Sequence, residues 1–413
     1  MKTLILILAF ISFAAVKANA QWNLANSGTY AGLMDVKFTD DSTAFVTGLY
    51  GVLKTVDRGQ TWSTAFADSN AWFGTIFFPT HDTGYIGGRK NFINTILKTT
   101  DGGQTWSYVD TTSLVVGGGS ISSLFFTSTD TGYAGFINGG LGESIYKTTN
   151  GGYTWNNITP SFMSNAYDIH FPNSNLGYAV FANLFKTPDA GNNWTISPPL
   201  SNDFLSVQFL NDTNGYACGI YYGNMVNYGA IIKSTNGGNT WSIDTFPSTF
   251  MLTSIYFPSA EIGYCVGGRG VILKSEDEGL NWITQMLDSN LHFSSIHCFN
   301  DSVCIAVGGD YFASPSGIIY RTISGGVGIK DVYPESNSIQ IYPNPATPTL
   351  TIEFFSSSEK KELNIYNTLG EKILTENFSG QKHSVNVSTF ANGIYFAEVR
   401  TEKAIITKKF IKF

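Results

Sequence analysis

The stretch Lys98-Thr99-Thr100-Asp101-Gly102-Gly103-Gln104-Thr105-Trp106, KTTDGGQTW, has relatives elsewhere in the same chain. They read KTVDRGQTW at 54–62, KTTNGGYTW at 147–155, KTPDAGNNW at 186–194, KSTNGGNTW at 233–241 and KSEDEGLNW at 274–282. A degenerate seventh copy, RTISGGVGI, covers 321–329. Successive tryptophans stand 44, 49, 39, 47 and 41 residues apart. A period in the forties marks a repeat architecture, and four strands per unit is its usual content. The six full strings, in chain order, define repeats 1 to 6.

Each repeat has one grammar. An apolar strand comes first, as in TIFFP (75–79), SLFFT (123–127) and SIYFP (254–258). A polar turn leads into a Gly-Tyr strand, at Gly84-Tyr85, Gly132-Tyr133, Gly177-Tyr178, Gly215-Tyr216 and Gly263-Tyr264. A third strand ends in Lys-Thr or Lys-Ser, the Asp/Asn-x-Gly turn follows, and Trp opens the fourth strand. Strands alternate with turns and no helical period intervenes, so each unit is a four-stranded meander. Such a unit cannot bury both faces alone. The expected fold is all-β: a seven-bladed propeller over 21–330.

Closure is legible in the spacing. Position 329 is Ile, so the seventh unit lacks its tryptophan, whereas Trp22 near the N-terminus belongs to no repeat. Sixteen residues separate Trp62 from Phe78, Trp155 from Phe171 and Trp241 from Phe257, and sixteen also separate Trp22 from Phe38. The N-terminal strand is therefore expected to complete the last blade and leave no open edge.

The Asp turn invites a chemical reading. Asp and Asn side chains bond nearby backbone N–H groups and shape turns, and Gly permits positive φ where the chain reverses. A calcium loop gathers several charged oxygens. This turn offers one, and it is neutral at Asn150 and Asn236. Asp57, Asp101, Asn150, Asp189, Asn236 and Asp277 are therefore read as structural. The pattern Thr/Ser-x-Asp/Asn-x-Gly-x-x-Trp resembles the Asp-box of the bacterial neuraminidase-type repeats. A cation precedes every box: Lys54, Lys98, Lys147, Lys186, Lys233, Lys274 and Arg321. Two readings apply, an anion-binding ring or heads that pair with a neighbouring blade while their stems cover apolar surface.

Units such as GYCVGGRGVILKSEDEGLNW (263–282) resemble the propellers of the photosystem II stability and assembly factors. That resemblance covers roughly 30–326 and implies a non-enzymatic propeller docking on protein partners. The Gly-Gly-Arg element stands only at Gly87-Gly88-Arg89 and Gly267-Gly268-Arg269. A patch of arginines is not expected.

Composition suits short strands and many tight turns. The chain has 413 residues, 15% aromatic and only 13% charged. Residues 1–20 read as a signal peptide: Lys2, an apolar run from Leu4 to Val16, and Ala18-Asn19-Ala20 as the cleavage site. The run is too short for the roughly 20 residues of a spanning helix, and no later segment reads as transmembrane. No cysteine precedes Cys218, which excludes a lipid-modified N-terminal cysteine. Residues 21–337 carry 13 Lys and Arg against 24 Asp and Glu, a field that argues against nucleic acid. Cys298 and Cys304 flank a short turn and are candidates for a disulfide, as are Cys218 and Cys265 in adjacent repeats. The alternative is four free, buried thiols. No spacing suggests zinc, and no metal or cofactor is expected.

After a linker at 331–338 the pattern changes. Alternating apolar residues over 339–413 predict a small β-sandwich. Tyr-Pro-Asn-Pro (342–345), Asn-Thr-Leu-Gly (367–370), Gly-Ile-Tyr (393–395) and the terminal Lys-Lys-Phe-Ile-Lys closely resemble the type A sorting domain of the type IX secretion system. The resemblance implies export from a Bacteroidota-type bacterium, the secretion machinery as a partner, and a mature protein attached to the surface or released.

The Asp-box also raises a sialidase reading, which needs three arginines on the substrate carboxylate. The propeller has four, of which Arg58 lies in an Asp turn and Arg321 is a repeat cation, leaving Arg89 and Arg269. A hydrolase using two carboxylates stands as the alternative to a binding scaffold. Asp turns occupy one face, so a ligand site is expected on the other. Its candidates are Trp72, Arg89, Asn91, Phe92, Tyr221, Tyr222, Asn224, Tyr228, Arg269, Tyr311 and Phe312. Aromatic rings with Asn and Arg suit an extracellular glycan or protein ligand.

Overall fold

The computed structural model describes residues 22–412 except 29–31, 110, 112–113, 115–118, 138–143, 162, 164, 198–201, 223–226, 247–250, 311–316, 326–338, 344, 347, 355–360, 368–370 and 401–404. Residues 1–20, expected to be a signal peptide, and the expected linker at 331–338 lie outside them. Every helix or strand among the described residues is a strand. The chain divides into two compact units, Met1–Gly328 and Ile329–Phe413.

In the first unit each of repeats 3 to 6 forms one antiparallel four-stranded sheet in simple meander order. Repeat 4 shows the pattern: Asp168–His170, Gly177–Val180, Leu184–Thr187 and Thr195–Ile196 pair in sequence. Repeats 1 and 2 differ from the expected separate meanders, because they share one six-stranded sheet. Two long strands, Ala44–Thr55 and Ser63–Phe77, cause this. Ala44–Gly48 pairs with the strand Leu33–Phe38. Gly51–Lys54 pairs with the start of Ser63–Phe77, and the end of that strand pairs with Gly84–Lys90. Each long strand runs on through an irregularity, at Leu49–Gly51 and at Asp68–Asn70, instead of ending there.

The last sheet of this unit contains Leu291–Cys298, Cys304–Asp310 and Gly317–Thr322. Its fourth strand is Asn23–Ala25 from the N-terminus, with Asn23 opposite Arg321 and Ala25 opposite Ile319. Trp22 lies edge-on to Tyr264 at 83° and donates its indole N–H to Gln285 Oε1 at 2.8 Å. The first strands of successive sheets touch in turn, and the strand Leu291–Cys298 returns to Leu33–Phe38. Side chains bridge this inner circuit. Ile76 N–H donates to Asp35, Ile169 N–H to Ser123, Val207 N–H to Asp168, Ile255 N–H to Ser206 and Ile296 N–H to Ser254. Ser295 closes the circuit by donating to Asp35 at 2.7 Å.

The repeat grammar now has physical content. Tyr85, Tyr133, Tyr178 and Tyr216 each stack on a phenylalanine of the next repeat, with centroids 3.5–4.0 Å apart. That phenylalanine meets its own Asp-box tryptophan edge-on, as Phe209 meets Trp241 at 87°. The glycine before each tyrosine makes room for the ring: a Cβ on Gly215 would stand 2.3 Å from Phe209 Cε1. Removing one such buried ring costs about 3–5 kcal/mol.

The hydroxyls of these four tyrosines, and all the repeat cations but Lys274, reach forward to the next Asp turn. Tyr178 Oη and Lys186 Nζ both donate to the Gly237 carbonyl, at 3.1 and 2.7 Å. Lys54, Lys98, Lys147 and Lys233 donate to the carbonyls of Gly102, Gly151, Ala190 and Glu278. Arg321 reaches the Arg58 carbonyl at 3.5 Å. Lys274 instead pairs with Glu276 at 2.8 Å. Six of the seven cations are thus joints from one turn string to the next. Burial pushes Tyr85, Tyr133 and Tyr216 up to about 12, so they stay neutral donors.

Inside the turn, Thr99 Oγ1 donates to Asp101 Oδ1 at 2.7 Å and accepts from Gly103 N–H at 3.0 Å. Asp101 also accepts from the N–H and hydroxyl of Thr105. Asn150 makes the same backbone bond, to Thr154 N–H at 2.9 Å, without a charge. Gly103 sits at φ +72°, where a Cβ would stand 2.4 Å from Phe45 Cζ.

The second unit holds a three-stranded sheet, Ile339–Tyr342, Thr349–Phe354 and Lys382–Asn386, and a four-stranded one built around Lys361–Asn367 and Gly393–Arg400. Leu350, Ile352, Leu363, Ile365, Val385, Ala397, Val399 and Phe410 from both sheets form one buried core.

Candidate functional site

Antiparallel meanders put the Asp turns at one end of each sheet and the turns between second and third strands at the other. At that other end a cavity of about 530 Å³ opens between repeats 1, 2 and 3. Its lining includes Leu49, Tyr50, Trp72, Arg89, Asn91 and Phe92.

Register brings these residues together. Trp72 pairs with Arg89 on one side and with Leu49 on the other. Gly74 leaves room for the indole, since a Cβ there would stand 2.5 Å from Trp72 Cη2. Lys90 pairs with Ile93, which makes Asn91-Phe92 a two-residue hairpin loop. Both loop residues have positive φ, +50° and +66°, the geometry that matches strand twist. Asn tolerates it. Phe does so only under strain, because its Cβ crowds the backbone. Phe92 nevertheless stands there 87% exposed. Tyr50 repeats the feature at φ +70°, 53% exposed.

Arg89 stands against this ring. Its guanidinium carbon is 5.7 Å from the Phe92 centroid, Nη2 donates to the Phe92 carbonyl at 3.1 Å and Nη1 reaches Ser120 Oγ at 3.4 Å. Its Nε is buried and bonded to no described group. Beside the turn, Lys90 and the Tyr108 hydroxyl both meet Asp68 at 2.7 Å. The Lys90 bond, then Tyr108, holds Asp68 down at about 2.

Of the residues singled out by sequence, Trp72, Arg89, Asn91 and Phe92 converge here. Trp72 and Arg89 lie on strands rather than in loops, because pairing runs on to Lys90 and Ala71. Tyr221, Tyr222 and Tyr228 lie on the sheet of repeat 5 and do not line this cavity; Tyr221 pairs with Tyr228. Tyr222 is spent on Asp203, to which its hydroxyl donates, and that bond pushes it up to about 12. Arg269 is exposed in its own tight turn at φ +58°, away from the cavity. Asn224, Tyr311 and Phe312 lie outside the described residues. Leu49 and Tyr50 escape a reading that favours long loops. Setting GLYG (48–51) beside GGRG (267–270) finds them.

Cys298 and Cys304 form a disulfide, and Cys218 and Cys265 are free and buried. Among the described residues no group of three or more His, Cys, Asp or Glu is gathered to hold a metal, and no helix is long and apolar enough to cross a membrane.

Solved structures define the class first: a β-propeller. The chain is similar to YCF48 bound to D1 peptide, at 19% identity and TM-score 0.57, over 73% of this chain and 97% of that one. YCF48 from Cyanidioschyzon merolae gives 17% and 0.57, over 73% and 98%. The GH74 enzyme of Niastella koreensis gives 14% and 0.53, over 92% and 71%. At such identities the likeness establishes the fold alone. Family models are more specific. Residues 14–161 match the photosynthesis system II assembly factor YCF48, and residues 340–413 match the secretion system C-terminal sorting domain. The sorting region implies secretion. No curated protein matches the chain.

Proposed function

We propose that this chain is an exported, non-catalytic binding propeller of seven blades, whose ligand docks on the Trp72–Arg89–Phe92 cavity. The six-stranded sheet counts as two blades that share the long strands Ala44–Thr55 and Ser63–Phe77. With repeats 3 to 6 and the sheet closed by Asn23–Ala25, that makes seven. Residues 1–20 direct the chain to the Sec pathway. The C-terminal unit, a small β-sandwich over 339–413, then engages the type IX machinery, leaving the propeller on the outer surface or released from a Bacteroidota-type cell.

One observation carries the binding reading. A bulky ring is held exposed at positive φ beside an arginine with a buried, unused N–H. Strain kept at an exposed position serves a contact rather than the fold. Aromatic anchors with an arginine are the residue types that dominate recognition surfaces. The ligand class is a glycan or an extended segment of an extracellular protein. Hydrolysis by two carboxylates is less well supported, because the described residues that line the cavity include no Asp or Glu.

Glycan and peptide arrays probed with the secreted full-length protein test this, with hydrolysis followed on every glycan bound. Phe92→Gly should weaken binding at least tenfold while holding or raising the melting temperature, since Gly relieves the turn. Unchanged binding in that variant, or turnover abolished by one Asp or Glu substitution, would overturn the proposal.

A further inference from the structure

A second cavity, of about 270 Å³, lies where the first strands of all the propeller sheets meet. It is separate from the Phe92 site. Around it stand Lys37, Phe77, Phe125, His170, Tyr256 and His297, one from each of six first strands. The rings touch in sequence: Phe77 to Phe125 at 4.9 Å, Phe125 to His170 at 5.0 Å and Tyr256 to His297 at 4.2 Å. Lys37 Nζ lies 5.4 Å from the Phe77 centroid and 5.9 Å from that of Tyr256.

The hydrogen-bond inventory here is lopsided. The carboxylates of the inner circuit are engaged: Asp35 accepts from Val36, Ile76 and Ser295, and Asp168 from Ile169, Val207 and Ser123. Gln208, on the remaining first strand, exchanges both amide bonds with Phe257. The Nδ1 atoms of His170 and His297 accept the N–H groups of Phe209 and Phe38, at 3.3 and 3.4 Å. Burial holds both imidazoles neutral, His170 at about 3, so each carries its proton on Nε2. His297 Nε2 is buried and unpartnered. Lys37 makes no ion pair or hydrogen bond to any described residue: Phe77 and Tyr256 are its aromatic neighbours, and Asp35 and Asp168 act on its charge only through space.

Donors are thus left over where the carboxylate acceptors are spent. Leaving such groups unpaired is costly, and an acceptor from outside removes the cost. We propose that this axial cavity binds a small monocarboxylate with an apolar body. Its carboxylate accepts from Lys37 Nζ and from the Nε2–H of His297 and His170, and its body rests against Phe77, Phe125 and Tyr256. Asp35 and Asp168 lie two residues before Lys37 and His170 on the same strands. Burial shifts both carboxyls towards the neutral form, which lessens their repulsion of an anion; it also lowers Lys37, against the pull of Asp35 and Asp168, and an arriving carboxylate favours the ammonium form again.

Calorimetry on the full-length protein, with benzoate and inorganic phosphate as probes, tests this. Benzoate is expected to bind and phosphate not to displace it. Lys37→Met, which keeps the stem and removes the charge, should weaken benzoate about tenfold or more, the worth of a charge-assisted hydrogen bond, with the melting temperature held. A crystal soaked in 4-bromobenzoate should place bromine among Phe77, Phe125 and Tyr256, which decides the matter even where Lys37→Met fails to fold. Absence of benzoate heat, equal affinity in Lys37→Met, bromine elsewhere or binding of phosphate alone would each overturn the proposal.

Discussion

Repeats 2 to 6 and the closing sheet solve one packing problem with different chemistry. In the repeats a phenylalanine stands six residues before a glycine: Phe78 and Gly84, Phe126 and Gly132, Phe171 and Gly177, Phe209 and Gly215, Phe257 and Gly263. The glycine lacks the Cβ that would strike the ring. In the closing sheet the same two positions are Cys298 and Cys304, also six apart and joined covalently. That sheet also lacks the box tryptophan and borrows Trp22, which packs on Tyr264. Where local aromatic packing is complete the hairpin needs no further tie. Where part of it comes from the far end of the chain, a covalent bond holds the hairpin ready.

The largest break in this comparison is removal of residues 21–28. The closing sheet then loses its fourth strand and Trp22, costing at least the about 3–5 kcal/mol of a buried aromatic. Heat and denaturant scans should lose a single cooperative transition, and an unchanged scan would refute closure by the N-terminus. Next comes the disulfide. Replacing both Cys298 and Cys304 by Ala should cost about 2 kcal/mol, since the closed loop is short. The pair Cys298→Phe with Cys304→Gly installs the repeat solution and should recover most of that loss under urea. Recovery no better than Ala would show that the two positions are not equivalent.

A smaller effect tests the joints. Tyr178→Phe keeps the stack on Phe209 and removes only the bond to the Gly237 carbonyl, which Lys186 still serves. About 1 kcal/mol should be lost. The smallest effect concerns the Asp turn. Bonds from the hydroxyl and N–H of Thr105 lower Asp101 from 3.8 to about 2. A folded value below the unfolded one means the contribution is whole above pH 3.8 and disappears as pH falls through about 2. Asp101→Asn, which imitates Asn150, should leave the melting temperature at pH 7 nearly unchanged and flatten that acid decline.

Much of the fold was legible because it is periodic. The turn strings, the Gly-Tyr strands and the sixteen-residue offset that places Trp22 all recur, so coincidence is averaged away. The shared sheet of repeats 1 and 2 was not legible, since nothing in Leu49–Gly51 or Asp68–Asn70 announces that the two strands run on past them. The candidate site was legible in part. Trp72, Arg89, Asn91 and Phe92 are near in sequence and meet through hairpin register. Leu49 joins them by pairing across a long strand, and Lys37, His170 and His297 meet only because the ring closes. Contacts of the last kind depend on the angle between sheets, which a single sequence does not reveal.

The joints between sheets also have a direction. Tyr178 and Lys186 reach forward to Gly237, as Tyr216 and Lys233 reach forward to Glu278. Among the described residues no joint of this kind points backward. Such a surface is head-to-tail, like the heterologous contacts that build rings or open filaments from separate subunits. Its chemistry says who follows whom but not how many. Ring size is left to the wedge angle of each sheet, so a gene that duplicated or lost one repeat would keep every joint satisfied.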